Sequence, residues 1–255
     1  MKAFNSFTRK EFTESMRTYR IVVLAAVFLI LGLMSPLVAK IMPDLFSGID
    51  LGGGVSITVP PPTAFDSWMQ FYSNVGQMGM LAIIITFCGT MAHELSRGTL
   101  VNLLTKGMKR HTVILSKFLA TSTLWAGSYL LCLLVCYGYT EYFWPGYALS
   151  NAFLAFFSLW LFGELLIALV ILGGTLFSNY FGSLLSCFGV IIVLSLVNII
   201  PRAQKYNPIS LAGDALNLLN AQKEAADFMP ATIICATSIV LLIVASIVVF
   251  NKKRV

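Results

Sequence analysis

Glu164 is the residue in this sequence that most demands a purpose. It is the one charged group in the apolar run from Ala152 to Ser178, and a carboxylate in mid-bilayer costs about 2.5–3.5 kcal/mol on insertion scales. It must face a bundle interior, a subunit interface or water. There it could serve as a substrate or proton contact along a translocation path, or as a hydrogen-bonded packing group. A second candidate is His93-Glu94, which opens like a zinc-protease helix. That chemistry needs a second histidine at position 97, where the chain has Arg97. Gly52-Gly53-Gly54 is rich enough in glycine for a phosphate loop, but no Gly-Lys-Ser/Thr follows it. Cys132 and Cys136 lie one helical turn apart with no third ligand nearby, and all five cysteines fall in apolar runs. They read as small buried hydrophobes, with neither disulfide nor metal expected. No catalytic set emerges.

The elements that carry these residues belong in lipid. Hydrophobic residues make up 58% of the 255 and charged residues 11%, against about 25% charged in soluble domains. Six runs are long enough to cross a bilayer: Ile21–Ala39, Phe71–Ala92, Phe118–Thr140, Ala152–Ser178, Tyr180–Ile200 and Ala231–Phe250. The expected fold is all-α: a polytopic membrane protein of six transmembrane helices in a single domain. Residues 1–20 form an interfacial helix, 21–250 the bundle and 251–255 a basic tail. The first run is too long for a signal peptide, and Leu37-Val38-Ala39 is a poor cleavage site.

Orientation follows from the basic residues. The N-terminal segment (Lys2, Arg9, Lys10, Arg17, Arg20), the loop after the second span (Arg97, Lys106, Lys109, Arg110, Lys117) and the tail (Lys252, Lys253, Arg254) hold thirteen of the 17 Lys and Arg. Both termini are therefore expected in the cytoplasm, in a multi-pass protein of the cell membrane. The net charge of +6 reads as topology signalling rather than nucleic-acid binding.

The joining segments carry their own patterns. Phe4, Phe7, Phe12, Met16 and Tyr19 recur at helical spacing between charged residues, predicting an amphipathic helix whose apolar face enters the lipid. Between His93 and Lys117, Ser96 could cap a short helix. Leu100, Val101, Leu103 and Leu104 give that helix an apolar side to offer a partner, and Gly107 could stop it. On the opposite side, a Gly run and a Pro run flank a short strand near Ile57 and Val59, and Trp68 and Tyr72 suit an aromatic belt. Ile209 to Leu219 suggests a short helix that either lines an exit path or plugs the bundle. Gly76, Gly79, Gly173, Gly174, Gly182, Ser186 and Gly189 suit close helix packing.

The stretch Glu94-Leu95-Ser96-Arg97-Gly98-Thr99-Leu100-Val101-Asn102-Leu103-Leu104, followed by Lys109-Arg110 and Ser116-Lys117-Phe118-Leu119, resembles the membrane permease subunit of type-2 ATP-binding-cassette (ABC) exporters. The likeness extends to the Lys10-Glu11 interfacial helix and to the Pro-rich loop leading to Trp68, Gln70-Phe71 and Asn74. It departs at Gly107-Met108, where the family often has proline. The resemblance implies a translocation path between two paired permeases, homo- or heterodimeric, with cytoplasmic ABC ATPase subunits docked beneath them. ATP and Mg would be held by those partners, and no cofactor by this chain. Residues Arg97–Thr105 would form the coupling helix, with Gly98, Leu100, Leu103 and Leu104 in it. Glu94, Arg97, Thr99 and Arg110 would brace its joint with the membrane, and Phe4, Phe7, Lys10 and Glu11 would belong to the interfacial helix. The cargo would be a peptide, an antibiotic or a lipid. An ion-coupled carrier and a membrane-embedded enzyme using Glu164 are the competing expectations.

Overall fold

The computed structural model describes residues 2–47, 60–105 and 107–253, with the side chains of 2–3, 46–47 and 101–103 outside that description. Helix α1 (Lys2–Arg17) turns through Tyr19, at φ 57°, into α2 (Arg20–Ser47). The second span is built from α3 (Ala64–Asn74), a π turn (Val75–Gly79), α4 (Met80–Phe87) and α5 (Gly89–Ser96). The short α6 (Thr99–Thr105) leads to α7 (Arg110–Phe143). Then α8 (Ala152–Phe177) and α9 (Tyr180–Val197) form a tight hairpin. Three single-turn helices, α10 (Pro201–Gln204), α11 (Ser210–Gly213) and α12 (Leu216–Leu219), precede α13 (Ala225–Lys252).

Six of these stretches are long and apolar enough to span a membrane, as the sequence predicts, and the described residues contain no strand. The strand expected near Ile57 and Val59 lies outside the described residues. Both chain ends, α6 and the α8–α9 turn lie at one end of the bundle, here the α6 end. The loops of the far end hold α10–α12.

The α8 helix forms the axis. Most of it is buried, against a small fraction of α9, and it packs against α4, α5, α7, α9 and α13. Glycine makes that approach close. A Cβ at Gly163 would lie 2.5 Å from the Trp125 indole, and one at Gly173 would sit 3.1 Å from the Ser183 backbone. Trp125 Nε1 also donates to the Trp160 carbonyl at 3.0 Å. Of the small residues expected to pack, Gly76 and Gly189 do not, since nothing lies within 4 Å of the Cβ either would carry.

Several expectations need correction. The second span starts at Ala64 and the third at Arg110, so the segment between them is mostly helix. Within it, Ser96 caps nothing; it ends α5 and donates to the His93 carbonyl. Trp68 and Tyr72 form no lipid-facing belt. Both are buried, packed edge-on to Phe71, and Trp68 meets Phe156 at 4.9 Å. A helix thirty-three residues long needs more than the bilayer to cover it, and α2 and α7 supply most of the cover at its α3 end. The 209–219 segment is two turns rather than one helix, with Leu211, Ala215, Leu218 and Leu219 buried beside α8.

Candidate functional site

The α6 end is held by charge. Glu11 and Phe7 lie one turn apart on α1 and are both buried against α7. Of the stripe expected to face lipid, Phe7 is buried, Phe4 half-buried and Met16 and Tyr19 exposed, while Glu11 points into the bundle. The reason is Lys117, one hundred and six residues away and 1% exposed. Its Nζ donates to both Glu11 carboxylate oxygens at 3.0 Å and pairs with Glu94 Oε2 at 2.8 Å. An ammonium this buried is tolerable only when paired.

Lys10 closes the ring from the solvent side. It pairs with Glu94 Oε1, with Glu14 at 2.9 Å and with Glu11 at 3.2 Å. Three helices are thus joined: α1 through Glu11 and Lys10, α5 through Glu94 and α7 through Lys117. Phe7 lies beneath both ammoniums, 5.0 Å from Lys10 and 5.8 Å from Lys117. Burial opposes the charge on Lys10, but the hydrogen bond to Glu94 and the nearby Glu11 and Glu14 outweigh it and raise its pKa above the ordinary value. The three carboxylates offer oxygens within 4.8 Å of one another, a grouping that elsewhere could hold a metal. Here the two lysine ammoniums supply the positive charge instead.

From Glu94 the chain enters α6 through a turn that requires glycine. Gly98 has φ 66°, a conformation that costs any side chain with a Cβ and is closed to proline. Gly107, at φ 87°, ends α6 where the sequence places the stop. The Thr99 hydroxyl donates to the Glu94 carbonyl at 3.3 Å, tying α6 to the ionic ring. Two residues of the apolar side of α6 face inward, where a partner-facing side was expected. Leu100 is fully buried in the bundle core and Leu104 is packed against it. The side chains of Val101 and Leu103 lie outside the described residues. Arg97 and Thr99 are exposed at this corner, and Arg97 forms no ion pair among the described residues.

Arg110 acts elsewhere than expected. Rather than bracing α6, its Nη1 donates to the Phe250 carbonyl, to Lys253 O at 2.6 Å and to Asn251 O at 3.4 Å. The guanidinium also stands 5.2 Å from the Phe250 ring. These carbonyls close α13, and a cation suits them. Lys253 repeats the device on α8, donating to Thr175 O at 2.7 Å, Leu176 O at 3.0 Å and the Ser178 hydroxyl. Burial lowers its pKa. Sequence reasoning did not find Lys253 or the inward role of Lys117. The available signal was a lone lysine at the mouth of an apolar run, which in lipid needs a counter-charge.

Glu164 is not brought to this site. It is buried on α8 facing α7, where Ser122 donates to its Oε1 at 2.7 Å, and Oε2 has no hydrogen-bond partner among the described residues.

The uncharacterized transmembrane protein YxlG of Bacillus subtilis (strain 168) is 24% identical over 233 residues, covering 89% of either chain. The family profile described as "ABC-2 family transporter protein" matches residues 55–248, which takes in five of the six spans, Glu94, α6 and Lys117. The chain therefore belongs to the ABC-2 transporter family, as a multi-pass membrane permease subunit of an ABC transporter.

Proposed function

We propose that this permease works in export, that α6 is its coupling helix, and that a separate cytoplasmic ABC ATPase, which holds ATP and Mg, seats against α6 and the corner that carries Arg97 and Thr99. The observation that carries the reading is the ionic ring of Lys117, Glu94, Glu11 and Lys10. A seven-residue helix cannot transmit force unless its root is rigid, and the ring joins that root to α1 and α7 at once. Movement of the ATPases would then tilt α5, α7 and α1 together. Leu100 serves as the inner anchor of α6 rather than as a contact for the ATPase. A second permease, identical or related, would complete the translocation path. The basic residues crowd the α6 end, which argues for cytoplasmic termini.

Gly98→Pro tests the docking. The variant should insert into the membrane yet fail to pull down the ATPase, because proline cannot adopt the φ at 98. Undiminished co-purification would sink the reading. Cysteine labelling tests the sidedness. With the five buried native cysteines as background, Ser150→Cys should react with an impermeant maleimide on intact cells and Asn251→Cys should not.

A further inference from the structure

A cleft of about 800 Å³ opens between the second span, α8 and α9, roofed by α11 and α12. It is far from the ionic ring and does not include Glu164. Its two ends differ in chemistry. Toward the α6 end its walls are hydrocarbon and aromatic: Met80, Leu81, Ile84, Phe162, Leu166 and Phe188. Toward the far end it carries Ser73, Gln77, Ser195 and Asn198. From Phe188 to Asn198 the lining rises about 15 Å along α9, half a bilayer's hydrocarbon thickness. No Asp, Glu, Lys, Arg or His lines it among the described residues.

Ser195 donates to the Ile191 carbonyl at 2.8 Å, but among the described residues the two amides keep unused groups. Gln77 makes one long hydrogen bond, Nε2 to Ser73 Oγ at 3.4 Å, which leaves its carbonyl oxygen unused. Asn198 accepts from Asn207 Nδ2 at 3.3 Å through Oδ1, leaving its amide nitrogen free to donate. Gln77 is exposed and stands inside the apolar run of its span, where water is scarce and an unpaired amide costs several kcal/mol. The π turn at Val75–Gly79 sits at this height, a distortion common at functional positions. Gly76, on the same turn, leaves the space where a side chain would stand.

We propose that the cleft binds one membrane amphiphile with an uncharged, hydroxyl-bearing head, of the diacylglycerol type. The head accepts from Asn198 and donates to Gln77, and the acyl chains lie along Leu81, Ile84 and Phe162. A phosphate or ammonium head is excluded because it would be desolvated with no counter-charge. This deepens the export reading by naming a cargo class, and it takes its leaflet from the proposed orientation.

The test uses the full chain in nanodiscs, without ATPase or nucleotide, so that it can fail while the coupling reading stands, and the reverse. The probe is a diacylglycerol with a diazirine on its acyl chain. We expect crosslinks on the second span and α9 that unlabelled diacylglycerol competes away and phosphatidylglycerol does not. Gly76→Trp, which fills the cleft, should cut the yield roughly tenfold. Gly138→Ala, outside the cleft and with a methyl that likewise meets open space, should leave it unchanged. Equal labelling of Gly76→Trp and the parent would overturn the proposal. So would equal competition by phosphatidylglycerol. A disulfide between two copies of Gly76→Cys that abolishes labelling would assign the cleft to a second copy of the chain instead.

Discussion

Two joints at the α6 end of the bundle are held by cations, but through different acceptors. At the Thr99 end, Lys117 and Lys10 neutralise the carboxylates of Glu11, Glu14 and Glu94. Beyond the Gly107 end, Arg110 closes the carbonyls of α13, and Lys253 does the same for α8. The distinction is between full charges with no escape and partial charges that water can replace. Removing a buried ammonium leaves ionised carboxylates stranded, whereas removing a cap leaves helix carbonyls that water can reach. The first joint should therefore resist loosening, and the second should give way more readily.

Lys117→Met gives the sharpest break. It strands Glu11 and Glu94 and should cost about 3–5 kcal/mol, read as a large fall in the thermal midpoint of the detergent-purified protein. Adding Glu11→Met should recover part of that loss, since one stranded carboxylate goes with it. A small effect of Lys117→Met, or none recovered by the second change, would erase the contrast. Arg110→Met comes next, at about 1.5–3 kcal/mol for hydrogen bonds from a charged donor, followed by Lys253→Met at about 1 kcal/mol. Hydrogen exchange should show the loosening confined to the last turns of α13 and of α8 respectively.

The smallest expected effect sharpens the comparison through pH. Lys10 is partly open to water, and its folded pKa lies above the ordinary value of 10.5. A raised lysine pKa stabilises the fold fully below the unfolded value, and the gain fades only as pH climbs past the folded one. The difference between the parent and Lys10→Met should thus stay flat through neutral pH, shrinking in strong alkali as the ammonium is lost and in strong acid as Glu94 protonates. A difference that changed between mildly acidic and mildly basic conditions would show that Lys10 is not held by these carboxylates.

The spans and the stop at Gly107 were legible because their signals are local. Twenty apolar residues in a row, or a glycine after an apolar helix, can be read without knowing what lies across the bundle. The ionic ring was not legible as a ring, because its members come together over separations of 84 and 106 residues. Glu11, Glu94 and Lys117 each stood out individually, by resemblance or by position. Their partnership depends on how α1 lies against α7, and the helical pattern of α1 does not say which of its residues meet the bundle. The same limit explains Leu100. An apolar stripe on a short helix states that something covers it, but not whether the cover is a partner or the chain's own core. Arg110 shows it once more, since a basic residue after a glycine turn says nothing of a helix end 140 residues downstream.

The π turn in the second span is, in effect, one residue too many for the helix that contains it. Each residue turns an α-helix by about 100°, so excising one from Val75–Gly79 would leave a regular helix whose two halves no longer agree on which way is in. With α4 keeping Ile83, Ile84 and Phe87 inside, Trp68 and Phe71 on α3 would swing toward lipid. The second span is thereby composed of two segments in different phase, and a shift of that defect by a few residues could rotate one against the other without breaking the rod.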